Sequence, residues 1–120
     1  MPFEERRKYP RIAESILCRL DGSPAKTKNI SCGGALCEFP QQVALMTKLE
    51  IVLELPEVAS PPSQFVRCEG VVIRQDPTKD GQGILCYVTA IFFTRISQED
   101  RKRIAEFVLQ SMLSDDRRHS

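Results

Sequence analysis

The segment KLEIVLEL, residues 48–55, puts Leu49, Ile51, Leu53 and Leu55 on one side of an extended chain and Lys48, Glu50 and Glu54 on the other. An apolar residue at every second position marks a strand buried on one face. The following loop, PEVASPP at residues 56–62, ends it, because its prolines remove backbone donors and fix φ. Two longer runs rich in β-branched residues come next, FVRCEGVVIR at 65–74 and ILCYVTAIFFT at 84–94. Between them DPTKDGQG carries the Asp, Pro and Gly residues of a turn, so the two runs are expected to pair as an antiparallel hairpin.

Upstream, residues 15–20 read as a strand, DGSP at 21–24 as a turn, and 26–30 as a short polar strand. The Gly33-Gly34 pair then leads into a further strand over 35–39. About six short strands with tight connections and no helix between them predict a mainly β fold, a six-stranded antiparallel β-barrel. Closure of such a sheet leaves no edge open to aggregation. The period changes at residues 97–113, SQEDRKRIAEFVLQSML, where Ile104, Phe107, Val108 and Met112, with Ala105 and Leu109, recur at helical spacing. Ser97 is the expected N-cap, and Glu99 and Asp100 sit in the first turn, where the helix dipole favours negative charge. The apolar stripe of this C-terminal α-helix is read as covering one mouth of the barrel. A partner, or a second copy of the chain as a homodimer, is the alternative use of the same stripe. The expected organisation is an N-terminal strap over 1–12, the barrel over 13–96, the helix over 97–113 and a disordered tail over 114–120.

Composition narrows the function. A chain of 120 residues makes one domain. Its 17 basic and 16 acidic side chains leave a net charge of +1, so the surface as a whole is not built to attract nucleic acid or a membrane. An anion site must therefore be local. No apolar run suits a signal sequence or a membrane span, which points to a cytoplasmic protein without membrane insertion. Five cysteines, Cys18, Cys32, Cys37, Cys68 and Cys86, form an odd set with no C-x-x-C pair, as expected in a reducing compartment. Most lie in apolar stretches, where a free cysteine packs as a small hydrophobe. The single histidine, His119, falls in the polar tail, which argues against His-dependent catalysis and against a metal site. The chain is not expected to be an enzyme.

Two stretches carry candidate chemistry. ERRKYPR at residues 5–11 places Arg7 and Arg11 four apart, with Arg6 and Lys8 adding charge. Pro10 pushes Tyr9 away from helix, so the segment reads as an extended strap able to wrap around a ligand. Arginine suits that task because its planar fork grips phosphate oxygens, meets the O6 and N7 acceptors of guanine and stacks on a base. NISCGG at residues 29–34 is the second stretch. Asn29 and Ser31, two apart, are expected to share one face of a strand, while Gly33 and Gly34 allow positive φ and close approach of backbone to a flat ligand.

In this order and spacing, the two stretches resemble the PilZ domain family. Members that bind cyclic di-GMP carry R-x-x-x-R in an N-terminal loop and [D/N]-x-S-x-x-G after the second strand. Arg7 to Arg11 fits the first motif and Asn29 to Gly34 the second. The likeness extends to the helix, since the family is a six-stranded split barrel followed by one. The resemblance implies that Arg7 and Arg11 bind phosphates and guanine edges, that Asn29, Ser31 and Gly34 hold a guanine against the barrel, and that Arg6 and Gly33 are auxiliary. It implies no cofactor or metal, only the ligand cyclic di-GMP and an unidentified protein effector in motility, adhesion or polysaccharide export. Two departures are the absence of tryptophan and Ala90 in place of a glycine ahead of Phe93. The alternative within the family is an adaptor that binds only protein partners. Nonspecific nucleic-acid binding through ERRKYPR finds little support in the near-neutral charge.

Overall fold

The computed structural model describes residues 16–55 and 64–119. Six antiparallel strands form a closed barrel in the order β1-β2-β3-β6-β5-β4. The strands are β1 (Leu17–Leu20), β2 (Ser23–Ile30), β3 (Gly34–Phe39), β4 (Lys48–Leu55), β5 (Gln64–Lys79) and β6 (Leu85–Ile96), and helix α1 (Gln98–His119) follows. The pairing of β1 with β4, through Cys18–Leu53 and Leu20–Ile51, closes the sheet. Alternation does what the pattern of β4 predicts: Leu49, Ile51, Leu53 and Leu55 are all buried. Leu20, Ile30, Val66 and Val72 meet them inside, so the barrel is a packed core.

Polar side chains inside the barrel have partners. Thr27, 1% exposed, accepts a 2.9 Å hydrogen bond at Oγ1 from the Ile16 N–H. Thr89 accepts one of 3.0 Å from Gln75 Nε2, whose Oε1 in turn accepts from the Val43 N–H at 2.8 Å, fastening the β3–β4 loop to β5. The five thiols are free. Cys37 donates to Cys18 in the interior, and that hydrogen bond together with burial holds the Cys37 thiol well above its ordinary range.

Both hairpin turns are shorter than the sequence suggests. The turn expected over 21–24 is the Asp21-Gly22 pair alone, with Ser23 and Pro24 already in β2 opposite Leu20 and Arg19. Asp21 and Gly22 have φ of 51° and 84°, the left-handed pair that joins two twisted strands in a two-residue loop. The eight-residue connection expected at 76–83 shrinks to a turn over 80–83, because Asp76, Pro77, Thr78 and Lys79 continue β5 opposite β6. Pro77 is tolerated there because β4 pairs with β5 only as far as Val71, leaving this outer half of β5 bonded to one strand. Asp80 Oδ1 accepts from the Gln82 and Ile84 N–H groups at 2.8 and 3.0 Å, and Gly83 takes φ 81°. Those two N–H groups draw the Asp80 carboxyl below its ordinary range.

Helix α1 starts as expected and runs further. Ser97 caps it, accepting the Asp100 N–H at Oγ (3.0 Å), while its carbonyl accepts the Arg101 N–H at 2.9 Å. Ile104, Phe107 and Val108 are buried with the barrel core, so this part of the stripe covers a mouth of the barrel. Asp100 Oδ2 accepts the Arg67 N–H at 3.4 Å where the helix meets β5. The backbone stays helical to His119 rather than ending at residue 113, so residues 114–119 extend the helix where a disordered tail is expected. The strap over 1–12 and the proline-rich loop over 56–62 lie outside the described residues.

Candidate functional site

Asn29 reaches the outer surface through a bulge. Ala25 and Thr27 of β2 are buried, and strict alternation would aim Asn29 inward beside them. Thr27 instead pairs with Cys37 and Asn29 with Leu36, so Lys28 is an extra residue in β2. The extra residue reverses the parity. Ile30 then points into the core at 0% exposure, and Asn29 is half-buried on the outer face. The row it joins runs across three further strands, from Leu36 in β3 to Ala90 in β6 and Arg74 in β5. Leu36 and Ala90, both half-buried, place a small apolar surface next to the Asn29 amide.

Ser31 does not share that face. It lies one residue past the end of β2 and is 3% exposed. Its N–H and the Gly34 carbonyl close the β2–β3 turn at 2.9 Å. The hydroxyl is used within the same turn, accepting the Gly33 N–H at 3.2 Å and donating to the Gly34 carbonyl at 3.4 Å. The structure thus separates two residues that the pattern of the sequence places together. Asn29 presents an amide outward, and Ser31 shapes the backbone that follows.

Gly34 is also placed differently from the expectation. Its φ is not in the left-handed region, and a Cβ there would overlap the carbonyl oxygen of Ile91. Close approach of β3 to β6 is therefore the reason for glycine at this position. The Gly33 carbonyl accepts the Phe93 N–H at 2.9 Å, tying the turn to β6.

A residue that the sequence motifs miss stands beside this turn. Arg101 of α1 donates from Nη1 to the Cys32 carbonyl at 3.5 Å, and the Cys32 thiol points back to the Arg101 carbonyl at the same distance. Burial raises the Cys32 thiol above its ordinary range, and the Arg101 charge offsets part of that rise. No sequence signal separates Arg101 from its neighbours in the run DRKR, which reads as an ordinary solvated helix face. The arginines Arg6, Arg7 and Arg11 lie outside the described residues. Among the described residues, no three His, Cys, Asp or Glu side chains come together as a metal site, and no helix is long and apolar enough to cross a membrane. The site therefore consists of an outward amide, an apolar strip and a hydrogen-bonded turn rich in backbone polar groups.

The profile of the PilZ domain matches residues 5–110, a span that takes in both motifs, the barrel and most of the helix. The chain belongs to the PilZ domain family. Solved structures with the same fold include the inhibitor of motility MotI/DgrA of Bacillus subtilis, with a TM-score of 0.75 at 18% identity over 91% of this chain and 52% of that one. The MrkH–c-di-GMP complex of K. pneumonia gives 0.69 at 22% identity, over 94% of this chain and 55% of the other. The PilZ domain of YcgR from Escherichia coli, with c-di-GMP, gives 0.63 at 18% identity, over 95% and 96%. This PilZ chain spans about half the length of the first two and nearly all of the third. No curated protein matches its sequence.

Proposed function

We propose that this PilZ chain is a cytoplasmic cyclic di-GMP receptor that closes its N-terminal arginine strap on the ligand and signals to a protein effector. The observation that carries the reading is the bulge in β2, which turns Asn29 outward beside a turn built from Ser31, Gly33 and Gly34. A nucleotide needs a site of this kind. The amide both donates and accepts toward a guanine edge, Leu36 and Ala90 offer a surface for its face, and the turn, without bulky side chains at Gly33 and Gly34, lets the base come close. Ser31 acts by holding that turn. The ligand's two phosphates require cations, which Arg7 and Arg11 supply, with Arg6 as an auxiliary contact. Two of the structural neighbours, MrkH and the PilZ domain of YcgR, are complexes with the same nucleotide, which supports the choice of ligand. No catalytic step is assigned: the output is ordering of the strap and exposure of a new surface to the effector.

Substitution of the arginines tests the reading. A hydrogen bond to a charged group contributes roughly 1.5–3 kcal/mol, so Arg7→Ala and Arg11→Ala should each weaken cyclic di-GMP binding by about tenfold or more. Both should leave the thermal midpoint close to that of the unmodified chain, since residues 16–55 and 64–119 already form a continuous buried core. Undiminished affinity in both variants would overturn the site assignment.

A further inference from the structure

The turn over residues 31–34 is held from three directions. Ser31 Oγ accepts the Gly33 N–H at 3.2 Å, β6 contributes the Phe93 N–H to the Gly33 carbonyl at 2.9 Å, and α1 contributes the Arg101 guanidinium to the Cys32 carbonyl at 3.5 Å. The first two belong to the barrel. The third comes from 69 residues further along the chain, and it is reciprocal, because the Cys32 thiol donates back to the Arg101 carbonyl. The helix that carries Arg101 has little freedom to shift. Its N–H is bonded to the Ser97 carbonyl, and Ile104 and Phe107, on the next turns, are buried in the core at 0% and 5% exposure. Cys32 is 7% exposed and Arg101 is half-buried, so the pair is partly shielded from water. A charged donor holds a carbonyl's direction more firmly than a neutral one.

We propose that Arg101 is a positioning residue of the nucleotide site, fixing the Cys32–Gly33 peptide so that the turn keeps the half-exposed Gly33 in place beside Asn29 for the ligand. The proposal rests on the receptor reading above. It makes the anchored first turns of α1 a support of the site, holding the turn in place from outside the barrel.

The test uses the full chain and its Arg101→Ala and Arg101→Lys variants. Each is titrated calorimetrically with cyclic di-GMP, melted, and recorded as an amide ¹H–¹⁵N spectrum without ligand. For Arg101→Ala, Kd should rise by about fivefold, as expected for loss of one hydrogen bond. The amide signals of Cys32, Gly33 and Gly34 should move, and the thermal midpoint should stay near that of the unmodified chain. Arg101→Lys keeps the charge but not the fork, and should recover part of the affinity. Unchanged affinity in Arg101→Ala, while the unmodified chain binds, would overturn the proposal and leave the receptor reading standing. A large fall in midpoint with affinity retained would also overturn it, because the role would then be structural. If the unmodified chain binds no cyclic di-GMP, the receptor reading fails, and unmoved turn signals in Arg101→Ala would remove the positioning role as well.

Discussion

At Gly34 the physical demand comes from the neighbouring strand. β3 runs close enough to β6 that a methyl group at this position would strike the Ile91 carbonyl, and backbone cannot move aside as a flexible side chain can. Gly34→Ala should therefore destabilise the barrel by about 1–3 kcal/mol, the usual cost of overpacking, and a denaturant titration reads it directly. Wild-type stability in that variant would show that the strands can part. Cys68 makes a second demand, through burial. Burial, with the nearby Asp100 charge, pushes its thiol up to about 12 from an ordinary 9.0. The unfolded chain gives up this proton first, so stability is intact below about pH 9 and falls as pH rises toward about 12. Cys68→Ala should flatten part of the fall, measured as unfolding midpoints at about pH 8 and about pH 10.5. An equal fall in both proteins would place the alkaline loss elsewhere.

The same scale shows what the motif residues reveal in sequence and what they hide. Asn29, Ser31, Gly33 and Gly34 are legible as a set. Their division of labour is not, because a single extra residue at Lys28 flips the face of everything after it, and a two-residue count cannot detect a bulge. Arg101 is hidden for a different reason. Its partner, Cys32, is 69 residues away, and only the closed barrel brings the two together.

Among the elements, β4 and the start of α1 are the most legible, since one alternates without interruption and the other opens on a serine cap. The hairpins are less so. Pro24 and Pro77 read as turn residues, yet both lie within strands, because a proline disrupts a ladder only where its missing N–H is needed. The apolar stripe of α1 also divides in a way that its periodicity does not show. Ile104, Phe107 and Val108 are buried, while Leu109, Met112 and Leu113 are 55%, 41% and 44% exposed. Ile104→Ala should therefore cost about 2–5 kcal/mol of stability, and Leu109→Ala should change it by no more than about 0.5 kcal/mol. Chemical denaturation of the two variants checks the split. Similar losses in both would mean that the whole stripe is packed.

For the molecule as a whole, barrel closure does two things. It gives every strand a neighbour on both sides over at least part of its length without a second layer, so a chain of this length can form a core from one sheet and one covering helix. It also sets the β2–β3 turn, β6 and the first turns of α1 side by side, joined through Gly33 and Cys32. The near-neutral surface gives an anionic ligand little long-range attraction, so affinity must come from local contacts, and selectivity should follow from them. The most direct test is a calorimetric titration of the unmodified chain with cyclic di-GMP, with GTP and cyclic di-AMP as controls. The receptor account predicts saturable binding of cyclic di-GMP and weak or no binding of the other two. Absence of heat with cyclic di-GMP, together with no ligand-induced rise in melting temperature, would contradict it and favour an adaptor that recognises protein alone.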